Sequence, residues 1–207
     1  MLKLIDHPLI KTKLTIMRDH KTGHTSFRNN LNEIASLMVY EVLRNYKTKE
    51  IIIETPIKIK TTGFVFDKEI VIVPILRAGI GMVQGIQMLV PEAKVGHIGI
   101  YRDEKTLDTH EYFYKMPIVS KDSYIIIVDP MLATGGSAFD TITRLDNEGY
   151  VNIRLVCIVG APEGVEKILK HFPNVVIYLA ALDKKLNKDG YIVPGLGDAG
   201  DRIFGTK

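Results

Sequence analysis

The sequence is poor in cysteine. Its 207 residues include a single cysteine, Cys157, so the chain cannot form an internal disulfide, and a reducing compartment is expected. Cys157 stands in the apolar run 153–159, a setting that favours a small buried side chain over a catalytic thiol. A secreted scaffold held together by disulfides is therefore excluded.

Several targeting and partner signals are also missing. The N-terminal segment lacks the apolar core of a secretory signal, and no apolar stretch is long enough to cross a bilayer, so we expect a cytoplasmic protein without a membrane partner. The formal net charge is only +3 and basic residues are interleaved with acidic ones, so no nucleic-acid partner is expected. No internal repeat or Pro/Ser-rich linker divides the chain, which predicts one domain over residues 1–207.

Metal-binding and nucleophile motifs are absent from the sequence as well. The six histidines are scattered, without H-E-x-x-H or paired Cys/His spacing, so no zinc site built by the protein alone is indicated. No Ser, His and Asp arrangement stands out either.

What the sequence does contain is an alternation of apolar strands and helices. Hydrophobic residues make up 46% of the chain and charged residues 25%, as in ordinary globular domains. Short apolar runs predict buried strands at 51–53, 70–73, 95–100, 124–128, 153–159 and 175–181. Helical patterns predict helices from residue 31, with Asn29 or Asn30 as N-cap, and over 138–145 and 162–172. This alternation predicts an α/β fold with a mainly parallel sheet flanked by helices.

Two segments stand outside the alternation. Residues 101–116 are polar with interspersed aromatic residues, which predicts a protruding hairpin or flexible flap. Residues 190–202 are rich in glycine and show no apolar periodicity, which predicts an irregular loop. Both segments follow predicted strands, and ligands of open parallel sheets bind beyond the carboxyl ends of the strands.

The strongest candidate for a binding site is the segment Asp129-Pro-Met-Leu-Ala-Thr-Gly-Gly-Ser137, which leads from a strand into a helix. Its glycines let backbone N–H groups converge on an anion, Thr134 and Ser137 add hydroxyl donors, and the helix N-terminus adds partial positive charge. The segment therefore predicts a phosphate-binding loop; a plain Gly-rich turn with Ser137 as helix cap is the alternative. It lacks the lysine of loops in nucleoside-triphosphate hydrolases.

Three charged residues are candidate ligands beside this loop. Asp129 ends an apolar strand, so its carboxylate suits the vicinal diol of a ribose, or else a turn. Arg77 precedes Ala78 and Gly79 and suits a pyrophosphate through bidentate donation, with a strained or cis peptide near it exposing backbone amides. Arg102 opens the flap and would add a second positive group on closure. For either arginine alone, an ion pair at the rim is the commoner explanation. The glycine spacing after Arg77 is a near miss to the dinucleotide-binding fingerprint, which disfavours a Rossmann fold.

The segment 129–137 resembles the phosphoribosyl-diphosphate-binding motif of type I phosphoribosyltransferases, and more narrowly that of the uracil phosphoribosyltransferase family. The likeness rests on Asp129-Pro130, where most relatives have two adjacent acids, on Ile75-Leu-Arg-Ala-Gly79 and on the tail 190–202, and it runs essentially from end to end. The departure from the general pattern leaves one carboxylate, Asp129, to hold the ribose hydroxyls.

The resemblance implies a reaction, in which uracil and 5-phospho-α-D-ribose 1-diphosphate give UMP and pyrophosphate with the help of Mg²⁺ in pyrimidine salvage. It implies that the sugar phosphate is bound by Asp129, Pro130, Met131, Leu132, Ala133, Thr134, Gly135, Gly136 and Ser137. It implies catalytic roles and diphosphate contacts for Arg77, Arg102 and Asp198. Uracil contacts are implied for Ile192, Gly197, Asp198 and Ala199. A homodimer or higher homo-oligomer is also implied, as is a GTP activator, since some members of the family respond to GTP.

The residues suit this chemistry. Departure of pyrophosphate leaves an oxocarbenium-like sugar, so the site needs positive charge at the leaving group and no covalent nucleophile. Closing the flap would exclude water, and the backbone groups of a Gly-rich loop match the donors and acceptors of uracil. Two alternatives stay open: a phosphoribosyltransferase for another base, and an RNA-binding regulator built on the same fold.

Overall fold

The computed structural model describes residues 1–102 and 109–206, without the side chains of residues 102 and 109. The described helices are α1 Pro8–Arg18, α2 His24–Val42, α3 Ile80–Leu89, α4 Gly136–Asn147, α5 Pro162–His171 and α6 Ala199–Phe204. The described strands are β1 Leu2–Leu4, β2 Thr48–Glu54, β3 Lys60–Phe66, β4 Ile70–Leu76, β5 Lys94–Val95, β6 His97–Arg102, β7 Thr109–Lys115, β8 Tyr124–Val128, β9 Met131–Leu132, β10 Asn152–Gly160, β11 Val176–Leu182, β12 Lys185–Leu186 and β13 Ile192–Val193. Among these helices, none has the length and apolar character that a membrane crossing requires.

Most strands form one sheet in the order β1-β11-β10-β8-β4-β6-β7, with β5 beside β4 and β9 beside β10. The pairs in this sheet are parallel except for β6 with β7, which run antiparallel. The central strands β4 and β8 consist mostly of buried isoleucine and valine, as expected where helices cover both faces. The predicted α/β fold with a mainly parallel sheet is confirmed.

Side chains alternate along the strands between two apolar cores, one on each face of the sheet. In β8, Ile126 and Val128 join the core to which α1, α2, α3 and α6 contribute. Ile125 and Ile127 join the opposite core, which α4 and α5 cover. Because the side-chain period of a strand is two, a single apolar run serves both cores.

The predicted strand at 51–53 lies outside this sheet. It belongs to β2, which among the described strands pairs only with β3, in a separate antiparallel hairpin. Ile51, Ile52 and Ile53 are all exposed, so the expectation of a buried strand is wrong. A short apolar run looks the same whether its strand is buried in a sheet or lies in a projecting hairpin, because periodicity does not report what covers the strand.

The helix predicted from residue 31 begins earlier, at His24, and Gly23 occupies the N-cap position. Asn30 lies inside α2, where its side-chain amide donates to the Ser26 carbonyl at 2.8 Å, so neither Asn29 nor Asn30 caps the helix. In the first seven residues of α2 only Phe27 is an apolar residue of the core, which is too little periodicity to reveal the turn. Helix α1, which the sequence interpretation did not include, begins at Pro8, the first-turn position that proline favours.

Candidate active site

The parallel strands bring their carboxyl ends to one edge of the sheet. At this edge the segment 129–137 leaves β8, pairs briefly with β10 as β9, and enters α4 at Gly136. The N-cap residue Gly135 has a φ of 77°, in the left-handed region that favours glycine. The first backbone N–H groups of a helix have no acceptor within it, so the start of α4 can donate to an anion.

The side chains of this loop divide between packing and exposure. Leu132 is buried in the core beneath the sheet rim, and the Pro130 carbonyl accepts hydrogen bonds from the backbone of Ile158 and Val159. Thr134 is exposed, and Met131, Ala133, Gly136 and Ser137 are half-buried. Pro130 has no backbone N–H and its carbonyl is already bonded, and the Leu132 side chain is packed in the core, so neither of these groups is available to a ligand of the loop.

Asp129 stands where β8 ends. The pKa of its carboxyl is raised to about 7, chiefly by burial. The negative charge of Asp198 adds to this rise, and the backbone N–H of Met131, which donates to Oδ1 at 3.4 Å, opposes it. A carboxylate in this setting is stabilised by hydroxyl donors or by a cation.

Arg77 follows β4 on the neighbouring strand end. Its side chain is 61% exposed, and its Nη2 lies 3.7 Å from Oδ1 of Asp201. The peptide bond between Leu76 and Arg77 is cis, as the sequence analysis expected for this position. The turn after Arg77 packs tightly on β8, because a Cβ on Gly79 would lie 2.4 Å from the Val128 carbonyl oxygen.

The tail 190–202 is more regular than the irregular loop that was expected. It contains β13, which pairs with β12, and the beginning of α6. A strand of two residues and a helix of six are too short to produce a periodic pattern. Ile192 and Ala199 are buried, and Gly197 has a φ of 76°.

Asp198 lies at the N-cap of α6, where its Oδ1 accepts from the backbone N–H of Asp201 at 2.9 Å. It also lies close to Arg77: a Cβ on Gly200 would be 3.3 Å from Asp198 Oδ1 and 3.7 Å from Arg77 Nη2. Since the charge of Asp198 also acts on Asp129, the structure brings Arg77, Asp129 and Asp198 together at one rim.

Other residues at the site were not found from the sequence. Asp201 pairs with Arg77, and Arg18 and Asp183 form an ion pair that contacts the tail at Gly195. The repeated acid in Gly197-Asp-Ala-Gly-Asp201 is the one sequence signal that could have indicated Asp201. Arg18 gave no signal, because it belongs to a helix that was not predicted.

The flap is described at its two ends. β6 and β7 pair in antiparallel fashion from His97–Arg102 to Thr109–Lys115, which confirms a hairpin at the base of the predicted segment 101–116. Residues 103–108 and the side chain of Arg102 lie outside the described residues. The place of Arg102 in the site therefore stays a prediction.

In the part of the chain that the structure describes, no group of three or more His, Cys, Asp and Glu side chains could hold a metal ion.

Comparison with known proteins gives a consistent result. A family model described as uracil phosphoribosyltransferase matches residues 4–206. The uracil phosphoribosyltransferase of Metamycoplasma hominis is 63% identical over 207 residues, covering 100% of this chain and 99% of that protein. That of Clostridium beijerinckii is 58% identical over 203 residues, covering 98% and 97%.

Solved structures agree with the architecture. A protein of Aquifex aeolicus superposes with a TM-score of 0.93 at 38% identity, covering 99% of this chain and 98% of that one. The adenine phosphoribosyltransferase of Trypanosoma brucei gives a TM-score of 0.60 at 13% identity over 87% of this chain and 83% of that one, a likeness of fold alone.

Proposed function

The chain belongs to the uracil phosphoribosyltransferase family, and from this premise we propose how its residues carry out the reaction. The enzyme converts uracil and 5-phospho-α-D-ribose 1-diphosphate to UMP and pyrophosphate in pyrimidine salvage. The observation that carries the assignment of the site is the convergence of Arg77, Asp129 and Asp198 at the rim where α4 begins.

The 5-phosphate binds, in this proposal, at the start of α4, on the backbone N–H groups and hydroxyls of residues 133–137. Gly135 supports this placement, because its left-handed φ lets the chain turn directly into α4 while it packs closely on Gly164 of α5. The ribose hydroxyls bind Asp129, at the end of the strand β8 that leads into this loop. Because the pKa of Asp129 is about 7, accepting hydrogen bonds from the diol favours its ionised form, so binding releases a proton near neutral pH.

The diphosphate extends toward Arg77, whose exposed guanidinium can donate to two oxygens at once. Arg102 supplies a second positive charge from the flap. Charge placed on the leaving group stabilises the transition state, in which the bond to pyrophosphate breaks and positive charge develops on the sugar. Asp198 lies near Arg77, and its negative charge favours the cationic sugar.

A Mg²⁺ ion fits the residues present. Magnesium is usually held by one or two carboxylates together with substrate phosphates, and Asp129 and Asp198 are two carboxylates close enough to interact. When bound with the diphosphate, the ion would neutralise charge on the leaving group.

Uracil binds against the tail, at Ile192, Gly197, Asp198 and Ala199. Because Ile192 and Ala199 are buried, their contribution is chiefly the backbone N–H and C=O groups that a uracil edge can pair with. Cytosine would leave some of these groups mispaired, which disfavours it strongly. Closure of the flap over the sugar would keep water from the reactive intermediate.

A substrate panel tests the proposed specificity. With phosphoribosyl diphosphate and Mg²⁺, we expect pyrophosphate release with uracil, and a rate with cytosine, hypoxanthine or adenine lower by about 10⁴ or more. Comparable rates with one of these bases would contradict the proposed base loop. Binding of RNA with a steep salt dependence, and no turnover of any base, would favour the regulator alternative instead.

Assembly and setting are proposals as well. We propose a single domain over residues 1–207 and a homodimer or higher homo-oligomer, which the exposed apolar hairpin β2–β3 supports. Activation by GTP is proposed from the family resemblance alone and is tested by assaying the enzyme with and without GTP. A cytoplasmic location fits the single buried thiol of Cys157 and is tested by cell fractionation.

A further inference from the structure

An ion pair lies behind the tail that is proposed to bind uracil. Arg18, the last residue of α1, meets Asp183, which follows β11, through two hydrogen bonds: Nη1 to Oδ2 at 2.8 Å and Nη2 to Oδ1 at 2.6 Å. The side chains are 24% and 6% exposed, so the pair is largely withdrawn from water. Nothing in the reaction as proposed above uses either residue.

Both members of the pair hold the backbone of Gly195. Arg18 Nη1 donates to the Gly195 carbonyl at 2.7 Å, and the Gly195 N–H donates to Asp183 Oδ2 at 2.9 Å. Gly195 cannot easily be replaced, since its φ is 63° and a Cβ would lie 2.2 Å from the Ile192 carbonyl oxygen. The ion pair therefore fixes the direction of the two peptide groups that flank this residue.

The next carbonyl in the chain is held by a second arginine. Arg202 Nη1 donates to the Leu196 carbonyl at 2.8 Å and also to the carbonyl of Met17, while Nη2 donates to the carbonyl of Asp19 at 2.8 Å. Its guanidinium lies 4.4 Å from the centre of the Phe27 ring. Two consecutive carbonyls directly before Gly197 are thus tied to the end of α1. Arg18 holds that of residue 195 directly, and Arg202, bonded to the carbonyls of Met17 and Asp19, holds that of residue 196.

Desolvation makes such a pair a poor source of net stability, because an apolar replacement of similar volume often does as well. What it provides is direction: a bidentate guanidinium and a carboxylate have fixed geometries that apolar packing lacks. We propose that Arg18 and Asp183 are positioning residues for uracil, which hold the backbone of the tail in the orientation that recognises the base. This inference rests on the proposed uracil contacts at Ile192, Gly197, Asp198 and Ala199.

The test compares Arg18→Lys and Asp183→Asn with the wild type. Lysine keeps the positive charge beside Asp183, so the protein should still fold. It cannot donate to the carboxylate and to Gly195 in the same geometry, so the tail should lose its fixed orientation. We expect each variant to raise the KM for uracil about tenfold, the size expected for a lost hydrogen bond to a charged group, with the KM for phosphoribosyl diphosphate within about twofold of the wild type. Arg44→Lys is the matched control, because Arg44 forms an equally bidentate pair with Glu41 on the surface and should change neither constant.

Two results would overturn the inference: an unchanged KM for uracil in Arg18→Lys, or an equal rise of both KM values. The thermal midpoint of each variant is recorded alongside, and Arg18→Lys alone decides the matter if Asp183→Asn does not fold. A crystal structure of the wild type with UMP separates this inference from the proposal on which it rests. If the uracil ring contacts residues 192–199 while the KM for uracil is unaffected in the variants, only the positioning role fails; if the ring lies elsewhere, the proposed base site fails.

Discussion

Arg77 carries a positive charge at the rim, and its side chain contributes little to holding the fold together. Its one described ion pair, with Asp201, is 3.7 Å long, and 61% of the side chain is exposed. A long, exposed pair of this kind contributes little to stability, so the charge is available for a ligand.

We therefore expect Arg77→Ala to lower kcat/KM by at least about a hundredfold, because charge stabilisation of the leaving group is lost. The thermal midpoint should stay close to that of the wild type. Steady-state kinetics and a thermal melt measure the two effects, with Arg44→Ala as a control for the loss of an exposed arginine. Near-normal turnover by the variant would remove Arg77 from the site.

Asp129 gives the ligand-free protein a pH dependence of known sign. Its folded pKa of about 7 is higher than that of an aspartate in an unfolded chain, about 4, so between these values the folded state binds the extra proton. The free energy of unfolding therefore decreases as pH rises through this window. Asp129→Asn cannot titrate and lacks this contribution.

Urea unfolding of both proteins at pH 5 and pH 8 measures the effect. The stability of the wild type relative to Asp129→Asn should be lower at pH 8, by on the order of 2 kcal/mol. Taking the difference between the two proteins cancels the contributions of the other titrating groups. The same relative stability at both pH values would mean that the carboxyl at position 129 has an ordinary pKa.

Among the elements, α4 and α5 together shape the phosphate loop. Gly135 at the start of α4 packs on Gly164 in the first turn of α5, since a Cβ on Gly135 would lie 3.1 Å from the Gly164 carbonyl oxygen. A Cβ on Gly164 would in turn lie 2.4 Å from the Ala133 carbonyl oxygen. The loop therefore packs against α5, a helix from which no residue was predicted to contact the ligand.

Gly135→Val should abolish binding of phosphoribosyl diphosphate, because the added side chain would clash with the first turn of α5 and displace the loop that is proposed to hold the phosphate. Gly149→Val, just beyond the other end of α4, is the matched control: Gly149 also has a positive φ, 88°, but a Cβ there meets nothing within 4 Å. Both variants carry similar backbone strain, so only the first should lose binding in a calorimetric titration. Equal binding by the two would place the phosphate elsewhere.

The elements of the sheet could largely be predicted from the sequence. The run 124–128 coincides with β8, and the helical patterns at 138–145 and 162–172 correspond to α4 and α5. Each of these elements shows a clear apolar pattern in the sequence and has recognisable ends. The predicted burial of β2 was wrong because an apolar run does not reveal what covers it. The predicted start of α2 was wrong because polar residues hide the first turns of that helix.

The residues of the proposed site also divide into those that the sequence indicates and those that it does not. Arg77 and Asp129 could be singled out because each follows a predicted strand in a segment of unusual composition, whereas Asp198 was implied by the family resemblance. The roles of all three stay predictions. Arg18 and Asp183 could not be singled out, because each lies in an ordinary setting and acquires its meaning from a partner 165 residues away. Contacts at such distances depend on topology, which periodicity does not encode.

At the scale of the whole molecule, the hairpin β2–β3 projects apolar side chains from the body. Ile52 and Phe64 are 70% and 65% exposed, and in the register of the hairpin both lie on one of its faces. A monomer that leaves such side chains in water is prone to association, which fits a contact between copies of this chain.

We expect the wild type to sediment as a dimer or larger assembly, and Ile52→Lys with Phe64→Lys to shift it toward the monomer. Charges on both sides of a two-fold contact repel, and burying them costs free energy. Ile118→Lys serves as control, since Ile118 is 98% exposed in a different segment, between β7 and β8. A wild-type mass equal to 23.2 kDa in light scattering would contradict the assembly itself.

The junction between α1 and the tail joins parts of the chain that are far apart in the sequence. Arg18 precedes Asp183 by 165 residues, and Arg202, which holds the Leu196 carbonyl, follows both. The loop 129–137, proposed for the sugar phosphate, comes before residue 183, whereas the proposed uracil contacts within 192–199 come after it. Under this proposal, selection of the base requires α1 and the tail to be in place together, while the phosphate loop depends on α4 and α5.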